Sequence, residues 1–170
     1  MADDIPTTKD WDWTIKPPRL SDVDDAPLCE ERFIGRSRHD MVPFFRDSPI
    51  TASAFLRLMP PVPFQYYVLT YRLLFMPESN LRELEQNIDF RLAADCFLSV
   101  LKRQLESSPD FILPVIEELI PVAEALARYQ QTFDSTFPVK TREIYGCFSE
   151  RLSEIRKLVT LAQSAKDSGK

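Results

Sequence analysis

From Ser48 onward, apolar residues recur along the chain with the three- and four-residue spacing of amphipathic helices. In the stretch SPITASAFLRLMPP, Ser48 suits the N-cap, and Pro49 suits the first helical position, where its missing N–H needs no partner. Pro60 and Pro61 cannot continue a helix, so the pattern predicts a helix that ends near Leu58.

The next segment, residues 63–76, is apolar almost all the way around a helix. Gln65 and Arg72 share one polar edge, and Thr70 lies to one side of it. Such a helix is typical of the centre of a bundle, and it also suits the groove of a partner protein.

Three longer amphipathic patterns follow. The first predicts a helix from about residue 80 to 106, and the last predicts one over about 141–165, after which the chain frays. The middle one starts at a second Ser-Pro pair and contains Pro114 and Pro121. Because each internal proline removes a backbone hydrogen bond, we expect this helix to bend or to begin near Leu113.

No stretch alternates with the two-residue period of a strand, and the chain has three glycines. The sequence therefore predicts an all-α fold, an irregular bundle of about five helices with an extended N-terminal arm. We expect the arm to cover residues 1–25, the helical domain 26–166 and a disordered tail 167–170. Within residues 26–47 we expect a turn or two of helix before Gly35 and another around 39–46.

Composition and charge support this division. With 170 residues and 44% hydrophobic content the chain can build one core. Residues 1–25 hold seven aspartates and three basic residues, which leaves the body nearly neutral although the formal net charge is −5. Neither part has the basic surplus that nucleic acid binding needs. One basic cluster exists, interleaved with acids and predicted to be a solvated face: Arg32, Arg36, Arg38 and Arg46.

The chain carries no recognisable targeting signal. Its start lacks the basic and apolar parts of a signal peptide, and its longest strongly apolar run is 13 residues, too short to cross a bilayer. The three cysteines are far apart in sequence and odd in number. We expect a soluble protein with no transmembrane segment, in the cytoplasm or another reducing compartment.

Catalytic and metal-binding patterns are absent from the sequence. One histidine, His39, is present, and there is no Cys-x-x-Cys spacing for a zinc site. Glycines at 35, 146 and 169 allow neither nucleotide-binding glycine motif. We therefore expect no enzyme, no cofactor and no metal, and an enzyme acting through His39 is the least favoured hypothesis.

One linear motif matches a known type of ligand. RLMPPVP, with Arg57, Pro60 and Pro63, fits the arginine-first proline-rich segments that SH3 domains bind. The simpler interpretation is a stiff connector between two helices, with Leu58 and Met59 buried.

The arm carries both tryptophans of the chain, in the stretch WDWTIKPPRL. Trp11, Trp13, Ile15 and Leu20 are its candidate partner-binding residues, because Trp side chains dominate interface energies. Two interpretations remain open: the indoles cover a partner, or the arm folds back and they cover the protein's own body.

The leading functional hypothesis is a non-enzymatic protein–protein interaction module, such as an adaptor, a chaperone-like partner or an accessory subunit. It would dock through the arm and through exposed apolar helix faces, on protein partners or by self-association. The alternative is a helical domain that binds a peptide or an apolar small molecule in an aromatic-lined cavity around residues 64–75. That cavity would be lined by Phe64, Tyr67, Tyr71 and Phe75.

Overall fold

A computed structural model describes residues 4–14, 26–76, 88–136 and 141–168. Every regular element in these ranges is helical, which confirms the all-α class. Ten α-helical segments are described: α1 (Ala26–Phe33), α2 (Arg38–Asp47), α3 (Pro49–Leu58), α4 (Pro61–Val68), α5 (Thr70–Phe75), α6 (Ile88–Ser107), α7 (Pro109–Ile112), α8 (Ile116–Thr136), α9 (Thr141–Tyr145) and α10 (Phe148–Ser168). Two 3-10 turns accompany them, at Thr8–Asp10 and Leu113–Val115.

The predicted count of about five helices is too low because proline and glycine divide the long patterns. Pro114 lies in the 3-10 turn between α7 and α8, so the expected bend is a break, and α8 starts shortly after the predicted Leu113. Gly146 has φ 75°, a conformation that costs glycine little, and it separates α9 from α10. The last helix also continues to Ser168, beyond its predicted end.

The apolar segment 63–76 is likewise two helices. Pro60 is extended, with ψ 164°, and Pro61 takes the first position of α4, so this helix begins two residues before the predicted start. Leu69 separates α4 from α5. Both helices are mostly buried, as expected for the centre of a bundle. The predicted start of the following helix, near residue 80, lies outside the described residues.

The short helices before Ser48 agree with the prediction. Ser37 and Asp40 form a capping box at the start of α2: Ser37 Oγ accepts from the Asp40 N–H at 3.2 Å, and Asp40 Oδ2 accepts from the Ser37 N–H at 3.0 Å. Gly35, with φ 69°, makes the turn between α1 and α2. This turn places Phe33 and Phe45 edge to face in the core.

Helix α6 is the central element and packs against α2, α3 and α10. Its outer side is tied to α10 by two ion pairs, Arg151 with Asp95 and Lys102 with Glu154. The largest fully buried aromatic side chains lie around it and the neighbouring helices: Phe33, Phe45, Phe64, Tyr67, Tyr71, Phe75 and Phe97.

The arm is not extended throughout, as its described part shows. Thr7 and Asp10 close a 3-10 turn, in which the Asp10 N–H donates to the Thr7 carbonyl at 2.9 Å and the Thr7 N–H donates to Asp10 Oδ2 at 2.7 Å. The turn brings the following residue, Trp11, onto the helical body, where it is 5% exposed. The rest of the predicted arm, residues 1–3 and 15–25, lies outside the described residues.

Candidate interaction surface

Both indoles of the chain lie on the chain's own body. The Trp11 ring centroid is 5.7 Å from that of Trp13 and 6.5 Å from that of Tyr67 in α4. Trp13 is partly buried, and its Nε1 donates to Glu30 Oε2 of α1 at 2.9 Å. We call this surface of α1 and α4, formed by Glu30 and Tyr67, the indole site. Within one chain the arm therefore folds back, and the predicted partner-binding residues Ile15 and Leu20 lie outside the described residues.

Tyr67 fixes the shape of the indole site. Its hydroxyl lies 2.5 Å from the carbonyl oxygen of Phe33 and 2.9 Å from that of Arg36, and so joins α4 to the end of α1. Burial, with a smaller contribution from Tyr66, raises the pKa of Tyr67 well above its usual range, so the hydroxyl remains a donor. The Phe33 ring packs edge to face on that of Tyr67, with the two centroids 4.8 Å apart.

The acidic residues of the arm bond within the arm. Asp12 Oδ1 accepts from the Thr14 hydroxyl at 2.6 Å and from its N–H at 3.0 Å, and these bonds lower the pKa of Asp12. Asp10 does the same with the backbone and side chain of Thr7, and its pKa is lowered for the same reason. The arm thus holds its own turns on both sides of Trp11.

Basic residues border the indole site. Arg36 is adjacent to Tyr67, which hydrogen-bonds to its carbonyl, and Arg38 Cζ lies 4.3 Å from the ring centroid of Tyr66. The rings of Tyr66 and Tyr67 contact each other with centroids 4.9 Å apart. The predicted solvated basic cluster is therefore partly stacked on aromatic rings.

One donor at the indole site is unsatisfied. The indole N–H of Trp11 is buried and has no hydrogen-bond partner among the described residues, whereas that of Trp13 is bonded to Glu30. A buried donor without a partner costs free energy, so the two tryptophans contribute differently to docking. Trp11 acts through apolar contact, and Trp13 acts through a specific bond.

The predicted aromatic cavity is filled by rings. Phe64, Tyr67, Tyr71 and Phe75 are all fully buried. Tyr71 has the rings of Phe45 and Phe97 at centroid distances of 4.9 Å, and it stacks on Phe75 at 6.0 Å. These side chains occupy the space in which the predicted ligand would lie.

The proline motif is built into the body. Pro60 and Pro63 are buried, and α4 is helical from Pro61, whereas an SH3 ligand must be exposed and in the polyproline II conformation. Arg57 is partly buried on α3, where its Nε donates to the Ser53 carbonyl at 3.3 Å. Met59 is buried too. This geometry agrees with the connector interpretation.

A cleft of about 350 Å³, which sequence patterns did not predict, lies between the end of α8, α9 and the turn before α10. Gln130, at its base, donates from Nε2 to the Gly146 carbonyl at 2.9 Å and accepts the Phe148 N–H on Oε1 at 2.7 Å. Gln130 thereby caps the start of α10. The cleft is lined by polar side chains and one thiol: Gln130, Gln131, Asp134, Ser135, Arg142 and Cys147.

The thiols and the histidine do not converge. Cys29 and Cys96 are buried and Cys147 is partly buried, all three as free thiols, and burial raises the pKa of Cys29 to about 12. His39 is exposed on α2. In the part of the chain that the structure describes, no group of three or more His, Cys, Asp or Glu residues could hold a metal ion. No helix there combines the length and apolar content that crossing a membrane requires.

A second apolar surface lies on α10. Its buried residues are Phe148, Leu152 and Ile155, all in the first half of the helix. Beyond them the apolar spacing continues, but Leu158 is only partly buried and Leu161 is 67% exposed.

No protein-family model, curated protein or solved structure matches this chain. The indole site and the apolar surface of α10 are therefore the two features that bear on its function.

Proposed function

We propose that this chain is a non-enzymatic protein–protein interaction module, an adaptor, chaperone-like partner or accessory subunit, whose indole site recognises a segment carrying two tryptophans two residues apart. The observation that supports this proposal is the docking of Trp11 and Trp13 on Glu30 and Tyr67. The arm provides a direct example of the kind of segment that the site accepts.

The energetics favour reversible recognition. Burying one large aromatic side chain is worth roughly 1.5–3 kcal/mol. Ordering each residue of an arm costs about 1–2 kcal/mol in backbone entropy. Two indoles therefore offset the ordering of only a few residues, so the arm and a competing segment of the same chemistry can exchange.

The exposed strip of α10 around Leu158 and Leu161 is a second docking face in this proposal. An apolar side chain that stays in water in the free chain gains free energy when a partner covers it. The protein partner would act in a reducing compartment, in keeping with the three free thiols.

One observation favours the alternative function, binding of a ligand around residues 64–75. It does so for a peptide ligand and not for a small apolar molecule. Tyr67, one of the four predicted cavity residues, contacts Trp11 of the arm. A small apolar ligand among Tyr71, Phe75 and their neighbours would have to displace packed rings. The peptide form coincides with the indole site, so both hypotheses point to the same surface.

The test uses the fact that the chain has two tryptophans, both in the arm. In the full chain with Trp11→Ala and Trp13→Ala, all indole fluorescence comes from an added peptide with the sequence of residues 4–14. We expect a saturable blue shift and a rise in anisotropy as the peptide binds. The same chain with Glu30→Ala added should bind the peptide more weakly, whereas Glu31→Ala, at the next and exposed position, should have no effect.

Absence of saturable binding to a folded Trp-free chain, judged by circular dichroism, overturns the proposal. If the double alanine variant does not fold, Trp11→Phe with Trp13→Ala keeps an apolar ring in the core and is also free of tryptophan. A cellular partner of the indole site is then expected to be enriched by the Trp-free chain and lost when Glu30→Ala is added.

A further inference from the structure

The length of the connection between the arm and the body does not confine the arm to its own chain. Eleven residues, 15–25, separate the described arm from α1, and a chain of this length can reach about 40 Å. Yet Trp13 bonds to Glu30, which lies within the first two turns of α1. The connection therefore has enough length for the arm to reach the indole site of another molecule.

The arm also has the properties of a transferable unit. Its polar side chains Asp10 and Asp12 bond to Thr7 and Thr14 within the arm, so these bonds move with it. The docking contacts include the Trp11 ring against that of Tyr67 and the bond from Trp13 to Glu30, and both indoles pack on the hydrophobic core. All of these contacts can form without change when the arm comes from a second chain.

The charges of the arm and of the indole site also favour docking of the arm of a second chain. The described arm carries Asp4, Asp10 and Asp12 against Lys9, whereas the indole site combines its one carboxylate, Glu30, with the neighbouring Arg36 and Arg38. An acidic arm is therefore attracted to the indole site of any copy of the chain, its own or another. Exchange of identical elements is a low-cost route to a symmetric dimer, because no new surface has to be complementary.

We propose that the arm docks in the indole site of a second copy of this chain, so that two chains exchange their arms in a symmetric dimer. This inference rests on the proposed recognition of the arm by the indole site. Each Trp11 then covers the Tyr67 ring of the other chain, and each Trp13 bonds to the other chain's Glu30.

Sedimentation equilibrium of the full chain over a wide concentration range tests the dimer. We expect a monomer–dimer equilibrium whose Kd is weakened at least about tenfold by Trp11→Ala with Trp13→Ala, since Trp truncations at an interface centre usually cost that much. The control Glu31→Ala, at the exposed position next to Glu30, should leave the Kd unchanged. A dimer that persists without the indoles uses another interface and overturns the proposal.

A measurement on the unaltered chain gives an independent answer. Excess peptide of residues 4–14 should convert the dimer to monomers, and the same peptide with both tryptophans replaced by alanine should not. If the peptide binds the Trp-free chain but the unaltered chain stays monomeric at every concentration, the second-copy proposal alone fails. If the peptide does not bind at all, the proposed function fails with it.

Discussion

The hydroxyl of Tyr67 lies 2.5 Å from the carbonyl oxygen of Phe33, while the buried hydroxyl of Tyr71 has no partner among the described residues. The hydroxyls of these two tyrosines, four residues apart, therefore differ in whether they are hydrogen-bonded. At position 67 the hydroxyl joins two helices beneath the arm. At position 71 it is a buried polar atom surrounded by rings.

Replacing these two hydroxyls separates their contributions. Tyr67→Phe should lower the free energy of unfolding by about 1–3 kcal/mol, because it leaves the carbonyls of Phe33 and Arg36 without this donor. Tyr71→Phe removes an unsatisfied group and should leave the stability unchanged or raise it. Urea denaturation of both variants checks the pair. An equal loss in the two would contradict the bonding described for Tyr67.

The bond between Trp13 and Glu30 should control the docking of the arm. Glu30→Ala removes the acceptor and should shift the tryptophan emission to the red, since both reporters lie in the arm. Glu30→Gln keeps an oxygen acceptor and should have a smaller effect. Emission that does not change in Glu30→Ala would show that apolar contact alone holds the arm.

The two indoles should not be equivalent. Trp11→Phe loses contact area but also removes a buried N–H that has no partner among the described residues, whereas Trp13→Phe loses a bond to a charged acceptor. We expect the emission of the remaining indole to stay closer to the native value in Trp11→Phe. A larger red shift in Trp11→Phe than in Trp13→Phe would refute this assignment.

Acid should loosen the arm. Hydrogen bonds from Thr7 and Thr14 lower the pKa of Asp10 and of Asp12 below the ordinary value of 3.8. A carboxyl whose pKa is lower in the folded state contributes stability that is complete above the ordinary value and is lost as the pH falls through the folded-state value. Tryptophan emission should therefore shift to the red below about pH 3.8, and this shift should shrink when both aspartates are replaced by asparagine. In a chain with Glu30→Gln the acceptor of Trp13 cannot ionise, so an acid-induced red shift that remains in this variant comes from the two aspartates.

The three thiols should differ in reactivity. Cys29 is buried, and its pKa is raised to about 12, chiefly by desolvation, so it stays protonated and shielded in the folded chain. Cys147 is partly exposed and lines the cleft beside Gln130. Iodoacetamide at pH 8, followed by mass spectrometry, should find Cys147 modified first and Cys29 modified only after unfolding. Early modification of Cys29 would show that α1 opens in the native state.

Local signals predicted most of the helical segments. The Ser-Pro pairs mark the starts of α3 and α7, and the apolar spacing predicts the burial of α4 and α5. The breaks at Leu69 and Gly146 were missed, because apolar spacing continues through both positions and packing decides where a helix divides.

The candidate site was predictable only in part, because the sequence identifies the two indoles but not the surface on which they dock. The sequence shows that Trp11 and Trp13 need apolar cover, but it does not say which surface provides it. That depends on Tyr67, which is far away in the sequence and is brought to the arm by the packing of α1 against α4. The cleft at Gln130 was missed for the same reason, since its bonds to Gly146 and Phe148 join distant parts of the chain.

The docking of Trp11 on Tyr67 also has a consequence for the chain during its synthesis. The arm leaves the ribosome before α4 has been made, so both indoles remain in water until translation has passed Tyr67. In that interval the nascent chain presents an uncovered aromatic pair that other nascent chains or chaperones can contact. The arm therefore cannot dock until the helix that carries Tyr67, which is made after it, has been synthesised.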